Sequence, residues 1–210
     1  GSHRSEEVLR IGMQIASGLA AAHAQGLVHR DIKPSNILLE NGIERVKITD
    51  FGLARVAHEA QLTQSNNVSG TPQYMSPEQA RGEQVDHRSD LFSFGCVLYA
   101  MCTGRSPFRA ETPIGAIHRV CEDSPRPIRH INRDIPDWLV ELIDHLLEKD
   151  PTNRLQTADE VAKLLGECLA HVQRPSDVEL PRQPRRRFSW HSRPKWPFAW
   201  AVATTGLLLI

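Results

Sequence analysis

Two short stretches of this 210-residue sequence carry residues whose types and spacing can do chemistry. The first is His29-Arg30-Asp31-Ile32-Lys33-Pro34-Ser35-Asn36, and the second is Asp50-Phe51-Gly52. Phosphoryl transfer asks for a carboxylate to orient and deprotonate the acceptor hydroxyl, oxygen ligands for magnesium, and a cation against the migrating phosphate. One loop and one turn of this composition can meet all three demands. The bland alternative, a set of satisfied surface polar groups on loops, requires the ordered combination to be accidental.

Other elements must hold these stretches in place. Ser5 followed by Glu6 and Glu7 reads as a helix cap with acids in the first turn, and Val8, Ile11, Ile15, Leu19 and Ala22 recur at helical spacing. That predicts a helix of about five turns ending at Gly26, a residue suited to the left-handed conformation that closes helices. Three apolar runs too short for helices follow: Leu27-Val28-His29, Ile37-Leu38-Leu39 and Val46-Lys47-Ile48-Thr49. Asn41-Gly42 between the last two signals a hairpin. The first stretch is therefore expected between two strands, and the second directly after a third. Val56 to Asn67 is polar and without periodicity, so it reads as a mobile surface loop. Beyond it, Arg88 to Thr103 is apolar around most of its circumference, the pattern of a buried central helix. Thr112-Pro113 starts another helix, Pro136 to Glu148 forms a third, and Thr157-Ala-Asp-Glu160 is a capping-box pattern announcing the last. The fold class expected is mainly α, a helical bundle with a small β hairpin near its front.

The length allows one domain with appendages. Its 25 basic and 25 acidic residues are unevenly placed, because seven basic side chains and only Asp177 and Glu179 fall between Arg174 and Lys195. The rest holds 18 basic and 23 acidic residues, which argues against nucleic-acid binding. Cys96, Cys102, Cys121 and Cys168 form no C-x-x-C pair and no zinc-finger spacing, so reduced, mostly buried thiols are expected. Gly1 to Arg10 is polar, unlike the apolar core of a signal peptide. Domain boundaries are placed at 1–172 for the folded body, 173–195 for a basic linker rich in proline and arginine, and 196–210 for an uncharged apolar tail. Trp196 and Trp200 beside the arginines resemble an interfacial anchor, and the tail is expected to begin a transmembrane helix.

In order and spacing, the two chemical stretches are similar to the catalytic-loop and magnesium-loop motifs of protein kinases. The resemblance is to the Hanks-type serine/threonine kinases, with a bacterial receptor-like flavour, and it runs from about Ser5 to about Val172. Gly70-Thr71-Pro72-Gln73-Tyr74-Met75-Ser76-Pro77-Glu78 resembles the segment closing the activation loop, with Ser76 where many relatives have alanine. Asp90-Leu91-Phe92-Ser93-Phe94-Gly95 resembles the start of the family's central helix, and Asp150-Pro151-Thr152-Asn153-Arg154 the turn before its last one. The resemblance implies Asp31 as the catalytic base, Lys33 against the γ-phosphate, and Asn36 and Asp50 as magnesium ligands. It puts Leu38 beneath adenine, Thr49 and the Ser35 backbone along the nucleotide, and Thr71 at the substrate hydroxyl. His29 would pack near Phe51, Glu78 would pair with Arg154, and Asp90 would hydrogen-bond the catalytic-loop backbone. Arg30 and Arg55 could receive a phosphate carried on Thr63, Ser65 or Ser69.

A resemblance of this kind implies the C-terminal lobe of a kinase that transfers the γ-phosphate of ATP, with Mg2+, to Ser/Thr hydroxyls of protein substrates. No G-x-G-x-x-G loop and no strand lysine precede residue 29, so an N-terminal lobe is expected upstream and residues 1–210 alone should be poorly active. The alternative is a membrane-anchored pseudokinase or scaffold, which intact Asp31, Lys33, Asn36 and Asp50 oppose. A single-pass membrane protein with its kinase lobe facing the cytoplasm follows from the positive-inside rule, and a homodimer that phosphorylates itself is a further expectation.

Overall fold

The computed structural model describes residues 2–40, 45–51 and 72–181. Helix α1, Ser2–Ala24, buries Val8, Leu9, Ile11, Ile15, Ala16 and Leu19 in the core. It begins upstream of the expected cap, and Ser5 is a buried residue inside it. The reason lies next to it: Glu6 is engaged sideways, by Arg10 at 3.0 Å and by the Gln173 amide at 3.1 Å, and does not serve a free helix end. At the other end Gly26 takes φ 73°, and the Leu27 amide closes back onto the Ala22 carbonyl at 3.0 Å.

Strands β1, Ile37–Glu40, and β2, Arg45–Ile48, form an antiparallel pair with Ile37 opposite Ile48 and Glu40 opposite Arg45. The Asn41-Gly42 turn lies outside the described residues. The hairpin lies against α1 at Gly18, where an added Cβ would come within 3.2 Å of Ile48 Cδ1. Gln14 Oε1 also accepts the Val46 amide at 3.2 Å. The expected strand at Leu27-Val28-His29 is absent. A strand needs a neighbour for its amides, and the His29 amide instead donates to the Asp90 carboxylate.

Five further helices complete the described body: α2, Pro77–Arg81; α3, His87–Thr103; α4, Pro113–Glu122; α5, Asp137–Leu146; and α6, Ala158–Gln173. Helix α3 is the central one, with Leu91, Phe92, Phe94, Cys96 and Leu98 fully buried. It touches α5 at Gly95, where a Cβ would lie 2.8 Å from Leu146 Cβ, so only hydrogen fits there. Thr112 caps α4 through the Gly115 amide at 3.1 Å, and Thr157 caps α6 through the Glu160 amide at 3.1 Å. Helix α5 is shorter than the expected Pro136–Glu148, because Pro136 is its cap and the last turn tightens onto the Leu147 amide. The four cysteines are free thiols, and burial pushes Cys168 up to about 12, which leaves little thiolate. Among the described residues no helix is long and apolar enough to cross a membrane; the linker beyond residue 181 and the tail 196–210 lie outside them.

Candidate functional site

The site is built on one buried carboxylate. Asp90, in the first turn of α3, is fully buried. Its Oδ2 accepts the His29 amide at 2.8 Å and its Oδ1 the Arg30 amide at 2.7 Å. His23 Nε2, near the end of α1, meets the same Oδ2 at 2.8 Å. From the other side, Gln79 Nε2 donates to the Arg30 carbonyl at 2.7 Å. Arg30 itself sits at φ 68°, a left-handed conformation that costs a non-glycine residue about 1–2 kcal/mol and must be held by its surroundings. Clamping both its amide and its carbonyl supplies that hold. The loop beyond is thereby aimed outward, with Ile32 buried behind it as an apolar plug.

On this base three chemical side chains converge. Lys33 Nζ lies 2.7 Å from Asp31 Oδ2, and Asn36 Nδ2 donates to the same oxygen at 3.1 Å and to the Asp31 carbonyl at 2.8 Å. Both contacts fall on Oδ2, and among the described residues Asp31 Oδ1 has no partner. The Asp31 side chain is nearly half exposed, at 45%.

Asp50 reaches the same region through the backbone: the Thr49 amide donates to the Asn36 carbonyl at 2.9 Å, and Thr49 Oγ1 bridges to Asp50 Oδ2 at 3.4 Å. Asp50 is exposed and also left-handed, at φ 63°. His29 braces the turn from behind, with Nε2 2.8 Å from the Thr49 carbonyl and its ring centroid 4.6 Å from that of Phe51. The Asn36 amide nitrogen is committed to Asp31, while among the described residues its Oδ1 meets only the Ser35 hydroxyl, at 3.5 Å. Among the described residues that leaves lone pairs free on a neutral and a charged oxygen donor, Asn36 Oδ1 and Asp50. Such a set fits magnesium, which binds through a carboxylate or two and completes its shell with substrate phosphates and water. Leu38 is half exposed on the hairpin.

A second charged pair has a different character. Glu78, on α2, meets Arg154 through two parallel bonds of 2.7 Å. The Ser89 hydroxyl adds a bond to Glu78 Oε1 at 2.6 Å, and Arg154 donates to the carbonyls of Arg88, Glu148 and Lys149. Burial pushes the Glu78 carboxyl up, but the hydrogen bond and charge of Arg154, with Ser89, pull harder and leave it below its ordinary value. The guanidinium also covers the Phe92 ring at 5.0 Å.

Thr71, Thr63, Ser65, Ser69 and Arg55 lie outside the described residues, so Arg30 is the described member of the expected phosphate receiver. Two positioning residues escape the sequence reading, His23 and Gln79. For Gln79 a signal was present: Ser76-Pro77-Glu78-Gln79 is a capping box, with the Gln79 amide on Ser76 Oγ at 3.3 Å and Gln79 Oε1 on the Ser76 amide at 3.0 Å.

Comparison with known proteins puts names beside this geometry. Residues 1–165 match the model of the protein kinase domain. A relative named "Probable serine/threonine-protein kinase" from Clostridium perfringens is 43% identical over 157 residues, 74% of this chain and 23% of its own length. The serine/threonine-protein kinase PknB of Mycobacterium leprae is 40% identical over 157 residues, 74% of this chain and 25% of its own. A PknB of Corynebacterium glutamicum is 36% identical over 195 residues, 87% of this chain and 30% of that protein. The chain thus spans between about a quarter and a third of the length of these relatives.

Proposed function

This chain belongs to the protein kinase domain family, and from that premise we propose that it is the catalytic C-terminal lobe of a protein kinase that transfers the γ-phosphate of ATP to Ser/Thr hydroxyls. The single observation that carries the reading is the asymmetry at Asp31, where Lys33 and Asn36 hold one oxygen and, among the described residues, nothing holds the other. In the reaction an acceptor hydroxyl donates to Oδ1, which turns its lone pair toward the γ-phosphorus. As the new O–P bond forms and the bond to the β-phosphate oxygen breaks, ADP leaves and the hydroxyl proton passes to Asp31 and then to water. Lys33, which reaches the Asp31 carboxylate in this structure, is placed to share its charge with the migrating phosphate. Asn36 Oδ1 and Asp50 would hold magnesium, which would supply positive charge against the phosphate oxygens. Thr49 and the Ser35 backbone border the nucleotide, and Leu38 supplies an apolar surface for adenine.

The serine/threonine assignment rests on Lys33 two positions after Asp31 and on the names of the relatives. The arginine-rich stretch and the uncharged 196–210 tail support a further proposal, that the parent protein is a single-pass membrane protein with this lobe on the cytoplasmic side. In the test of function, the full-length protein is incubated with γ-labelled ATP, Mg2+ and a Ser/Thr-containing protein. Label recovered as phosphoserine or phosphothreonine, lost on chelation of Mg2+, is the expected result. Failure of the full-length protein to label any protein, itself included, would overturn the proposal.

A further inference from the structure

The cleft between the end of α3 and the start of α4 plays no part in the site above. Its volume is about 700 Å3, and four arginines stand in its walls, Arg105, Arg109, Arg119 and Arg126, against one carboxylate, Glu111. Arg119 is already engaged, donating to the Arg109 carbonyl at 2.6 Å and lying 3.8 Å from Asp123. Among the described residues the side chains of Arg105, Arg109 and Arg126 have no ion-pair partner. Three unneutralised guanidinium groups around one hollow repel one another, and they do so on a body whose other charges are predominantly acidic. An anionic guest would remove that repulsion, and the planar fork of arginine matches carboxylates in two-point contacts.

The size and place of the hollow narrow the guest. It falls within the roughly 300–1,000 Å3 of sites that enclose several functional groups, far more than one inorganic anion needs. Its floor includes the bare backbone of Gly115, where a Cβ would meet Thr112 Oγ1 at 3.0 Å. Its wall also includes Ser106, whose hydroxyl donates to the Gln73 carbonyl at 3.2 Å, so it adjoins the 72–74 turn just after the expected substrate-contacting Thr71. Ile114 stands beside it, 77% exposed.

We propose that this cleft binds an acidic stretch of the polypeptide to be phosphorylated, its carboxylates taken by Arg105, Arg109 and Arg126. The proposal rests on the kinase reading for what the guest is, and on the cleft alone for its charge. The first measurement therefore asks nothing of catalysis: fluorescence anisotropy of labelled hexaglutamate and hexaglutamine peptides with purified 1–210. Hexaglutamate should bind and hexaglutamine should not, and the Arg109→Gln/Arg126→Gln double substitution should weaken binding at least tenfold with an unchanged circular dichroism spectrum. Arg105→Gln alone should weaken it about threefold. Hexaglutamate binding equal in the double variant would locate it on the arginine-rich linker and overturn the proposal, as would equal binding of hexaglutamine or full displacement by about 1 mM inorganic phosphate. In the full-length protein, a Thr peptide extended by six glutamates should show a KM raised about tenfold by the double substitution with kcat unchanged. An unchanged KM contradicts the substrate assignment; if no phosphate is transferred at all, the kinase reading has failed while the anisotropy still judges the cleft.

Discussion

Two carboxylate–cation pairs in this molecule are made of nearly the same atoms and have opposite surroundings. Glu78 and Arg154 are 4% and 0% exposed and every side-chain nitrogen and oxygen of the pair is hydrogen-bonded, whereas Asp31 and Lys33 are 45% and 21% exposed and meet through one oxygen of the carboxylate. A buried pair that loses one member leaves a charge without water or partner, so its loss is felt in folding. An exposed pair that loses one member is resolvated, so its loss is felt only by whatever chemistry used it. Burial separates the structural pair from the one the proposed chemistry would use.

The largest effect that would sharpen this contrast is Arg154→Met, which should lower unfolding free energy by about 3–5 kcal/mol in urea titration. Glu78→Gln should fall in the same direction. Because the folded Glu78 carboxyl lies below its ordinary value, its contribution is present above about pH 4.5 and is lost as pH falls through the folded value. Next comes Asp90→Asn, which weakens the charge-assisted bonds to the His29 and Arg30 amides. About 2 kcal/mol of stability should go, together with activity, since Arg30 would no longer be held left-handed. Gly95→Ala, which forces a methyl against Leu146, should cost about 1–3 kcal/mol by thermal unfolding with no change in magnesium or nucleotide requirements.

One further effect has the opposite sign. Burial, with the neighbouring charges of Glu148 and Glu141, pushes Asp144 up to about 7. A carboxyl raised in the folded state takes up protons on folding, so the contribution of Asp144 is fully present below about pH 4 and is lost as pH rises through about 7. Asp144→Asn should flatten that decline and raise the melting temperature at pH 8. An unchanged pH profile would mean the carboxyl is better solvated than its position implies.

Legibility in the sequence followed the range of the interactions. Helices whose signals are local were readable: Thr112-Pro113 and Thr157 cap where their types predict, and the apolar Arg88–Thr103 run is the buried centre. The candidate site residues could be singled out because Asp31, Lys33 and Asn36 lie within six positions on one loop. What was missed depends on contacts across the chain. Ser5 looks like a cap until Gln173, far along the chain, takes up Glu6, and Leu27-Val28-His29 looks like a strand until Asp90 takes the His29 amide. His23 and Gln79 were invisible as positioning residues because their partners, Asp90 and the Arg30 carbonyl, are 67 and 49 positions away.

The central claim is that Asp31 works through an oxygen left free for the acceptor hydroxyl. The direct measurement is kcat of the full-length protein and its Asp31→Asn variant on a Thr-containing peptide, with urea stability recorded for both. A fall of about 10²–10⁴ in kcat with stability within about 0.5 kcal/mol is the predicted result. Equal kcat in the two proteins would contradict it.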